Sequence, residues 1–193
     1  MEKDKTILSH IGIFDDVVSP EKCQEILEQF KLNKDRHYPG ETTGGADWKG
    51  KITTDWNIDP SLDKDTDALI YETFSNCFKK YIEKFDISHS SLPFTICDGG
   101  YKVMEYIKGT GKFDEHIDNS FHNTTCHRFL TALLYLNTIE EGGETEFPSQ
   151  GITVKAKVGR VVMFPPFFTH PHKGNTPLSE NKYVINGFFM KGK

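Results

Sequence analysis

A series of short strand-like segments fills the C-terminal half of the chain and constrains the fold more than any other feature. From about residue 101, seven segments rich in β-branched and aromatic residues follow one another between turn residues: YKVMEYI, FDEHID, RFLTALLYLN, ETEF, GITVKA, RVVMF and YVINGFFM. Many short strands separated by turns are typical of a β-sandwich or β-barrel. The sequence therefore predicts a mostly β core over about residues 99–193.

The first half of the chain combines helices with strands. Ser19 is a predicted N-cap and Pro20 the first residue of a helix, because these residue types favour those positions. The helix then carries one apolar stripe at helical spacing, formed by Cys23, Ile26, Leu27 and Phe30. A second helix is predicted over about residues 64–84, with one apolar side formed by Ile70, Phe74, Cys77, Phe78, Tyr81 and Phe85. We expect a helical support over about residues 1–98, packed on one face of the core, within a single domain of 193 residues.

Residues 36–56, between the two helices, are predicted to form a loop, because this segment contains the glycine-rich stretch RHYPGETTGGADWKG. A loop of that length in a compact domain is usually functional or disordered. Its two tryptophans, Trp48 and Trp56, either border a binding site or pack in the core, and the sequence leaves both alternatives open.

Charge and composition argue against several classes of protein. The net charge is -5, with no cluster of Lys and Arg, which disfavours a nucleic-acid-binding protein. The N-terminus lacks the apolar stretch of a signal peptide, and no apolar run approaches the roughly 18–20 residues of a membrane span. The four cysteines form no C-x-x-C pair and are predicted to be buried, reduced thiols: Cys23, Cys77, Cys97 and Cys126. We therefore expect a cytoplasmic protein.

Two strong metal ligands, His116 and Asp118, stand two positions apart in FDEHID. In a strand such residues share one face about 7 Å apart, with Ile117 pointing into the packing. Alone, the pair is more often two solvated side chains. The stretch FPPFFTHPHKGN adds His170 and His172, and two histidines with one carboxylate are the pattern of a non-haem Fe(II) site. Either histidine could complete it, since both would face the same way, and both could instead be ordinary loop residues.

Lys182 opens an otherwise apolar and aromatic strand in NKYVINGFF. A strand lysine is ordinarily a solvated edge residue. Inside a β-barrel, however, a lysine makes a specific counter-ion for a carboxylate.

These residues together resemble the 2-oxoglutarate and Fe(II)-dependent oxygenases, and within them the prolyl 4-hydroxylase-like group. The family shows an H-x-D pair, a distal histidine and a basic residue about ten positions later. Lys182 lies ten positions after His172 and twelve after His170, so the resemblance favours His172 as the distal ligand. The likeness is densest over residues 101–190 and extends to the N-terminal stretch IFDDVVSPEKCQEIL.

Further motifs assign further roles by the same resemblance. The stretch VMEYIKGTGKFDEHID carries Tyr106 ten residues before His116, and RFLTALLYLN followed by GGETEFP is similar to two other family motifs. By this match Tyr106 belongs to the co-substrate site, and Tyr135 would bind the distal carboxylate of 2-oxoglutarate together with Lys182. Phe188 stands where many relatives have a tryptophan beside the co-substrate. The loops 36–56 and 119–127 would border the substrate opening.

The resemblance implies a double-stranded β-helix, or jelly roll, with helices on one face. It implies a dioxygenase that uses Fe(II), 2-oxoglutarate and O2, with ascorbate as a further candidate, and that releases succinate and CO2 while hydroxylating an unactivated C–H bond. Peptidyl proline at C4 is the expected target. A free amino acid, another protein residue, a small metabolite and a non-catalytic cupin-like binding module are the alternatives. We expect a peptide, protein or small-molecule partner, no nucleic acid and no membrane; the oligomeric state is left open.

Overall fold

The computed structural model describes residues 9–42, 49–87, 96–119 and 125–191, without the side chains of 96–98. Two helices occur in these ranges, α1 (Pro20–Leu32) and α2 (Lys64–Lys84), together with short 3-10 turns at Lys34–Arg36 and Pro148–Gln150. The strands are β1 (Gly12–Phe14), β2 (Tyr38–Pro39), β3 (Lys51–Ile52), β4 (Thr54–Asn57), β5 (Ile96–Tyr106), β6 (Lys112–His116), β7 (Arg128–Tyr135), β8 (Thr145–Phe147), β9 (Ile152–Val154), β10 (Val161–Phe164), β11 (His172–Gly174) and β12 (Lys182–Lys191).

The strands form two antiparallel sheets. One has seven strands in the order β1-β10-β7-β12-β5-β4-β2, and the other has five in the order β3-β6-β11-β8-β9. From β5 to β8 each successive strand changes sheet, and β9, β10, β11 and β12 place two further strands in each. The predicted mostly β core of short strands is confirmed, and the structure shows that the strands are antiparallel.

Alternate residues of the seven-stranded sheet enter two different apolar clusters. Leu130, Ala132 and Leu134 of β7 belong to an outer cluster, which also contains most of the buried apolar residues of both helices. Leu133 and Tyr135 belong to an inner cluster, which the five-stranded sheet completes with Phe147 and Val154. The period of two in a strand therefore separates the face that meets the helices from the face that meets the other sheet.

Both predicted helices are confirmed, and the first has its predicted N-cap. The hydroxyl of Ser19 accepts a hydrogen bond from the Lys22 amide at 3.3 Å, and Pro20 is the first helical residue. The whole predicted stripe of α1 is buried: Cys23, Ile26, Leu27 and Phe30. Helix α2 spans the predicted residues 64–84, and Ile70, Phe74, Cys77 and Tyr81 are its buried apolar side.

The prediction of one loop over residues 36–56 is wrong in part, because β2, β3 and β4 lie within it. β3 pairs with β6 in one sheet and β4 pairs with β5 in the other, so this segment crosses from sheet to sheet. Trp56 is completely buried in the outer cluster, which decides its role as core packing. Trp48 and the predicted loop residues 43–48 and 120–124 lie outside the described residues.

The prediction that the four cysteines are buried, reduced thiols is confirmed only in part. Cys23 and Cys77 are free and buried, but Cys126 is exposed, since it lies in the turn before β7 rather than in a core element. The side chain of Cys97 lies outside the described residues. Neither helix in the described ranges is long and apolar enough to cross a membrane.

Gly159 joins the N-terminal segment to the sheet and supplies a first testable prediction. Its φ is +72°, and an added Cβ would collide with the carbonyl oxygen of Val18. Gly100 has a φ of +80° with no atom within 4 Å of an added Cβ. We expect Gly100→Ala to cost only the left-handed backbone strain of about 1–2 kcal/mol, and Gly159→Ala to destabilise the protein clearly more. Urea unfolding of both variants checks this, and equal losses would contradict it.

Candidate active site

The pairing of β6 with β11 places two histidines directly opposite each other. His116 ends β6, His172 begins β11, and the two residues are register partners across the antiparallel ladder. Such partners have Cβ atoms only about 4.5–5.5 Å apart. The imidazole ring centroids lie 4.3 Å from each other. Backbone hydrogen bonding therefore brings together two side chains that are 56 residues apart in the chain.

Asp118 reaches the same place from beyond the end of β6. The strand stops at His116, so the prediction that one strand face carries both ligands is wrong, and Ile117 is 39% exposed rather than packed inside. Two contacts hold the turn that follows. The Arg128 guanidinium donates to the carbonyl of Asp118 at 2.8 Å. The backbone N–H of Asn119 donates to the carbonyl of Pro166, also at 2.8 Å.

The three side chains present acceptor atoms to one another. Nε2 of His116 lies 3.4 Å from Oδ1 of Asp118, and Nε2 of His172 lies 3.5 Å from Oδ2. Each histidine donates its Nδ1–H to a backbone carbonyl, that of Asp114 at 2.8 Å for His116 and that of His170 at 3.1 Å for His172. In the neutral rings both Nε2 atoms then carry lone pairs. Three ligand atoms within 4.8 Å of one another therefore fit a metal cation.

The electrostatics of the cluster agree with this assignment. Burial lowers the pKa of His172 to about 4, so the ring is neutral at pH 7 and can act as a ligand. Burial opposes ionisation of Asp118, but His172, His116 and Thr131 outweigh it and hold the pKa of this carboxyl well below its ordinary value. The Thr131 hydroxyl donates to Oδ2 of Asp118 at 2.7 Å. The carboxylate is thus charged and oriented by the protein alone.

Aromatic rings fix the planes of the two imidazoles. The Phe113 ring stacks on His116 with centroids 3.5 Å apart and planes 10° apart. Phe164 lies edge-on to His172 with centroids 4.6 Å apart, and Phe147 lies 5.7 Å away. Hydrogen bonds at Nδ1 and these ring contacts together restrict both histidines to one orientation.

His170 points to other partners. One ring nitrogen, Nε2, bonds the carbonyl of Ser9, and Nδ1 lies 2.9 Å from the Thr169 hydroxyl. His170 precedes β11, where the strand alternation that would have aligned it with His172 has not begun. The structure therefore assembles His172, and not His170, with His116 and Asp118.

Lys182 is a buried cation on the same inner face of the fold. Its side chain opens β12, is 1% exposed, and donates to the carbonyl of Gly143 at 3.0 Å. The ammonium also lies 3.9 Å from the centre of the Tyr106 ring. Burial lowers the pKa of Lys182 to about 7, although Glu144 opposes the shift. No carboxylate in the described ranges forms an ion pair with it, so a ligand anion would have a free partner here.

The other predicted co-substrate residues occupy different parts of the inner face. Tyr106 is the register partner of Lys182 and is buried. Tyr135 is completely buried and donates its hydroxyl to Thr145 at 2.7 Å. Phe188 lies farther along β12, opposite Thr131, with the Arg128 guanidinium 3.7 Å from its ring centre. Phe188 is therefore near the metal-ligand end of the site rather than near Lys182.

Three residues of the site escaped the sequence argument: Thr131, Arg128 and Phe113. Thr131 had a usable signal, because it alternates with Leu133 and Tyr135 on the inner face of β7. Arg128 and Phe113 act through a turn contact and a ring stack, which no local spacing reveals. Asp114, which is close to His116 in the sequence, takes part in the site through its backbone carbonyl, the acceptor for Nδ1–H of His116.

Comparison with known proteins agrees with this geometry. Residues 101–190 match the model of the 2OG-Fe(II) oxygenase superfamily. A relative from Acanthamoeba polyphaga mimivirus, named "Putative prolyl 4-hydroxylase", is 25% identical over 94% of this chain and 74% of its own length. Both matches include the segments that carry the three clustered ligands.

Two solved structures share the fold at low sequence identity. The collagen prolyl hydroxylase of Paramecium bursaria Chlorella virus-1, in its 2OG complex, matches with a TM-score of 0.71 and 18% identity over 96% of this chain and 97% of that one. A prolyl hydroxylase from Trichoplax adhaerens, in complex with a hypoxia inducible factor peptide fragment, matches with a TM-score of 0.75 and 17% identity over 97% of this chain and 86% of that one. Fold, ligand cluster and family model agree: residues 101–190 match the 2OG-Fe(II) oxygenase superfamily, and the protein is prolyl 4-hydroxylase-like.

Proposed function

We propose that this protein is a dioxygenase that hydroxylates peptidyl proline at C4, with 2-oxoglutarate converted to succinate and CO2. One observation carries the proposal: a cluster of three metal-ligating atoms and an isolated buried ammonium share the inner face of one fold. The cluster would bind a cation, and the ammonium would bind an anion. A metal-chelating dicarboxylate complements both.

His116, Asp118 and His172 would hold Fe(II). Three protein ligands leave open positions on a six-coordinate iron, as the two-histidine, one-carboxylate arrangement does in non-haem Fe(II) oxygenases. The bound iron and co-substrate supply the oxidation of an unactivated C–H bond. The protein's own part is to fix the ligands through Thr131 and Phe113 and to surround them with apolar residues.

Lys182 would bind the distal carboxylate of 2-oxoglutarate. Gly143 accepts one of its three ammonium hydrogens, which leaves donors for a ligand. The Tyr106 ring beneath the ammonium favours its charged form through a cation–π contact. Tyr135 would join the same carboxylate by turning its hydroxyl away from Thr145.

We also propose that the two sheets form a double-stranded β-helix within a single oxygenase domain. Successive strands from β5 to β12 change sheet at every step except from β8 to β9, and this supports the arrangement. The outer apolar cluster supports packing of the helices on one face, as an N-terminal unit of about residues 1–98. A cytoplasmic location remains a prediction.

The relatives support a prolyl substrate in a polypeptide. The mimivirus relative and both structural neighbours carry prolyl hydroxylase names, and the Trichoplax protein is complexed with a peptide. Proline also favours the extended polyproline II form, so fixing a proline-rich segment costs little conformational entropy.

The substrate class is tested directly by offering the enzyme proline-rich peptides with Fe(II), 2-oxoglutarate and O2. We expect succinate formation and a single added oxygen on proline, detected by mass spectrometry. Free amino acids and small metabolites serve as the comparison series. Robust succinate formation with one of these and none with any peptide would contradict the prolyl assignment.

The metal assignment predicts different effects for the two neighbouring histidines. His116→Ala and His172→Ala should each abolish tight binding of Fe(II), or of Mn(II) as a substitute, because each removes one of three ligands. His170→Ala should retain binding, because its ring contacts Ser9 and Thr169 instead. Titration calorimetry with circular dichroism as a folding control measures this. Loss of metal only in His170→Ala would reverse the assignment.

The Lys182 assignment predicts a loss of co-substrate affinity without a loss of metal. A charge-assisted hydrogen bond in a buried site is worth roughly 1.5–3 kcal/mol, so Lys182→Ala should weaken 2-oxoglutarate binding about tenfold or more. Lys173→Ala is the matched control, because this nearby lysine is half-buried and already paired with a carboxylate, that of Glu146.

The pH dependence of binding provides a second measurement of the Lys182 contact. Below about 7 the free ammonium is protonated, whereas above that pH binding a carboxylate requires proton uptake. The dissociation constant of 2-oxoglutarate should therefore rise with pH above about 7. Lys182→Arg should flatten this profile, because arginine stays charged. If Lys182→Arg kept the same steep pH profile, Lys182 would not be the origin of that profile.

A further inference from the structure

We propose that Lys51, Asp55 and Lys102 form an anion subsite beside the metal centre, which binds a carboxylate of an acidic peptide substrate. This inference rests on the proposed function, since it names a feature of the polypeptide that the enzyme hydroxylates. It assigns to the substrate an acidic side chain close to the target proline.

Two ammonium groups share a single carboxylate oxygen in this cluster. Nζ of Lys51 donates to Oδ2 of Asp55 at 2.6 Å, and Nζ of Lys102 donates to the same atom at 3.1 Å. The other oxygen, Oδ1, accepts from the Thr53 hydroxyl at 2.7 Å. Asp55 is completely buried, and the side chains of Lys51 and Lys102 are 1% and 26% exposed. With all groups ionised, the cluster has an excess of one positive charge.

An excess cation at a buried position is unfavourable unless another group compensates it. Besides Asp55, the hydrogen-bond partner of Lys51 is the backbone carbonyl of Glu41, at 3.4 Å. Burial and the nearby Lys102 lower the pKa of Lys51 to about 8. In the described ranges no second carboxylate lies within ion-pair distance of either ammonium. A ligand carboxylate beside Lys102 would balance the charge.

The cluster is close to the proposed metal ligands. Lys51 is the register partner of Phe113 across β3 and β6, and its ammonium lies 5.4 Å from the centre of the Phe113 ring. That ring stacks on His116 at 3.5 Å. Only one aromatic ring thus separates the basic cluster from the metal centre.

Lys102 belongs to the inner face of β5. Met104 and Tyr106 follow Lys102 at every second position of the strand and lie in the inner cluster, whereas Tyr101 and Val103, at the positions between, lie in the outer one. This position makes Lys102, the more exposed of the two lysines, the group that a substrate entering between the sheets would meet.

An independent observation comes from Asn186, the register partner of Lys102 on β12. Asn186 is 7% exposed, lies on the same alternation as Lys182 and Val184, and its side chain makes no hydrogen bond with the described residues. The side-chain amide of Asn186 is therefore open to a ligand on the inner face of β12. Its N–H groups can donate to the same carboxylate that Lys102 would bind.

The ligand carboxylate belongs to the substrate rather than to 2-oxoglutarate. In the proposed function the two carboxylates of the co-substrate are taken by the metal and by Lys182. The basic cluster is then left for a third acidic group, which the peptide must supply.

The test compares pairs of proline-rich peptides that differ only by Asp or Asn, with this residue moved through each position flanking the proline. We expect the wild type to prefer the Asp peptide about tenfold or more at one or a few positions, as a charge-assisted hydrogen bond would give. Lys102→Met should remove this preference while leaving the Lys51–Asp55 pair intact. Lys102→Arg should retain it. Lys112→Met is the matched control, since Lys112 is a partly exposed lysine of β6 paired with Asp114.

Binding is measured separately from turnover, by fluorescence anisotropy of labelled peptides with the Mn(II) enzyme and 2-oxoglutarate under nitrogen. A Lys102-dependent preference in binding without any hydroxylation would support the subsite and reject the proposed activity. An equal response to Asp and Asn at every position, no peptide binding at all, or equal losses for both peptides in Lys102→Met would overturn the subsite. A weaker 2-oxoglutarate affinity of Lys102→Met without peptide would assign the cluster to the co-substrate and also overturn it.

Discussion

The antiparallel pairing of β6 with β11 is the interaction on which the active site depends. It sets His116 opposite His172 through the backbone, before any side chain makes a contact. Carbonyl groups near these strands then accept the Nδ1–H of each ring, so both Nε2 atoms turn toward Asp118. A shift of the β6–β11 register by one residue would turn the residues next to the two histidines inward, and the three metal-ligating side chains would no longer meet. The metal site is therefore a consequence of strand pairing, with the aromatic contacts refining ring orientation.

The interior carries charges that the fold alone does not neutralise. Asp118 is ionised beside hydrogen-bond donors and two imidazole rings, and the near partners of Lys182 among the described residues are a carbonyl and a ring. Such groups are costly in an apo protein, because buried charges lose their hydration. A metal ion at Asp118 and a dicarboxylate reaching Lys182 would remove both costs at once. We therefore expect ligands to stabilise this fold as well as enable its chemistry.

Local patterns in the sequence predicted the local features of the structure. The N-cap at Ser19, the limits of α2 and the strand-like segments follow from short-range spacing, and the structure agrees. Asp118 was correctly paired with His116, but its position past the end of β6 was missed, because turn contacts from Arg128 and Asn119 decide where that strand stops. β3 and β4 were read as loop, since strands this short gain order only from pairing with their partners β6 and β5. The role of Thr131 likewise depends on Asp118, which lies in the turn after β6.

In β7, residues that stabilise the packing against the helices alternate with residues that lie in the proposed active site. Leu130, Ala132 and Leu134 face the helices, so their replacement changes packing of the outer cluster. Thr131 and Tyr135 face inward, where one bonds the proposed metal ligand and the other lies at the proposed co-substrate site. The same division applies to β12, where Lys182 and Asn186 share the inner alternation while Ile185 belongs to the outer cluster. Because the polar contacts of the site lie at inner positions and the packing against the helices at outer ones, substrate preference can change along these strands without loss of the outer cluster.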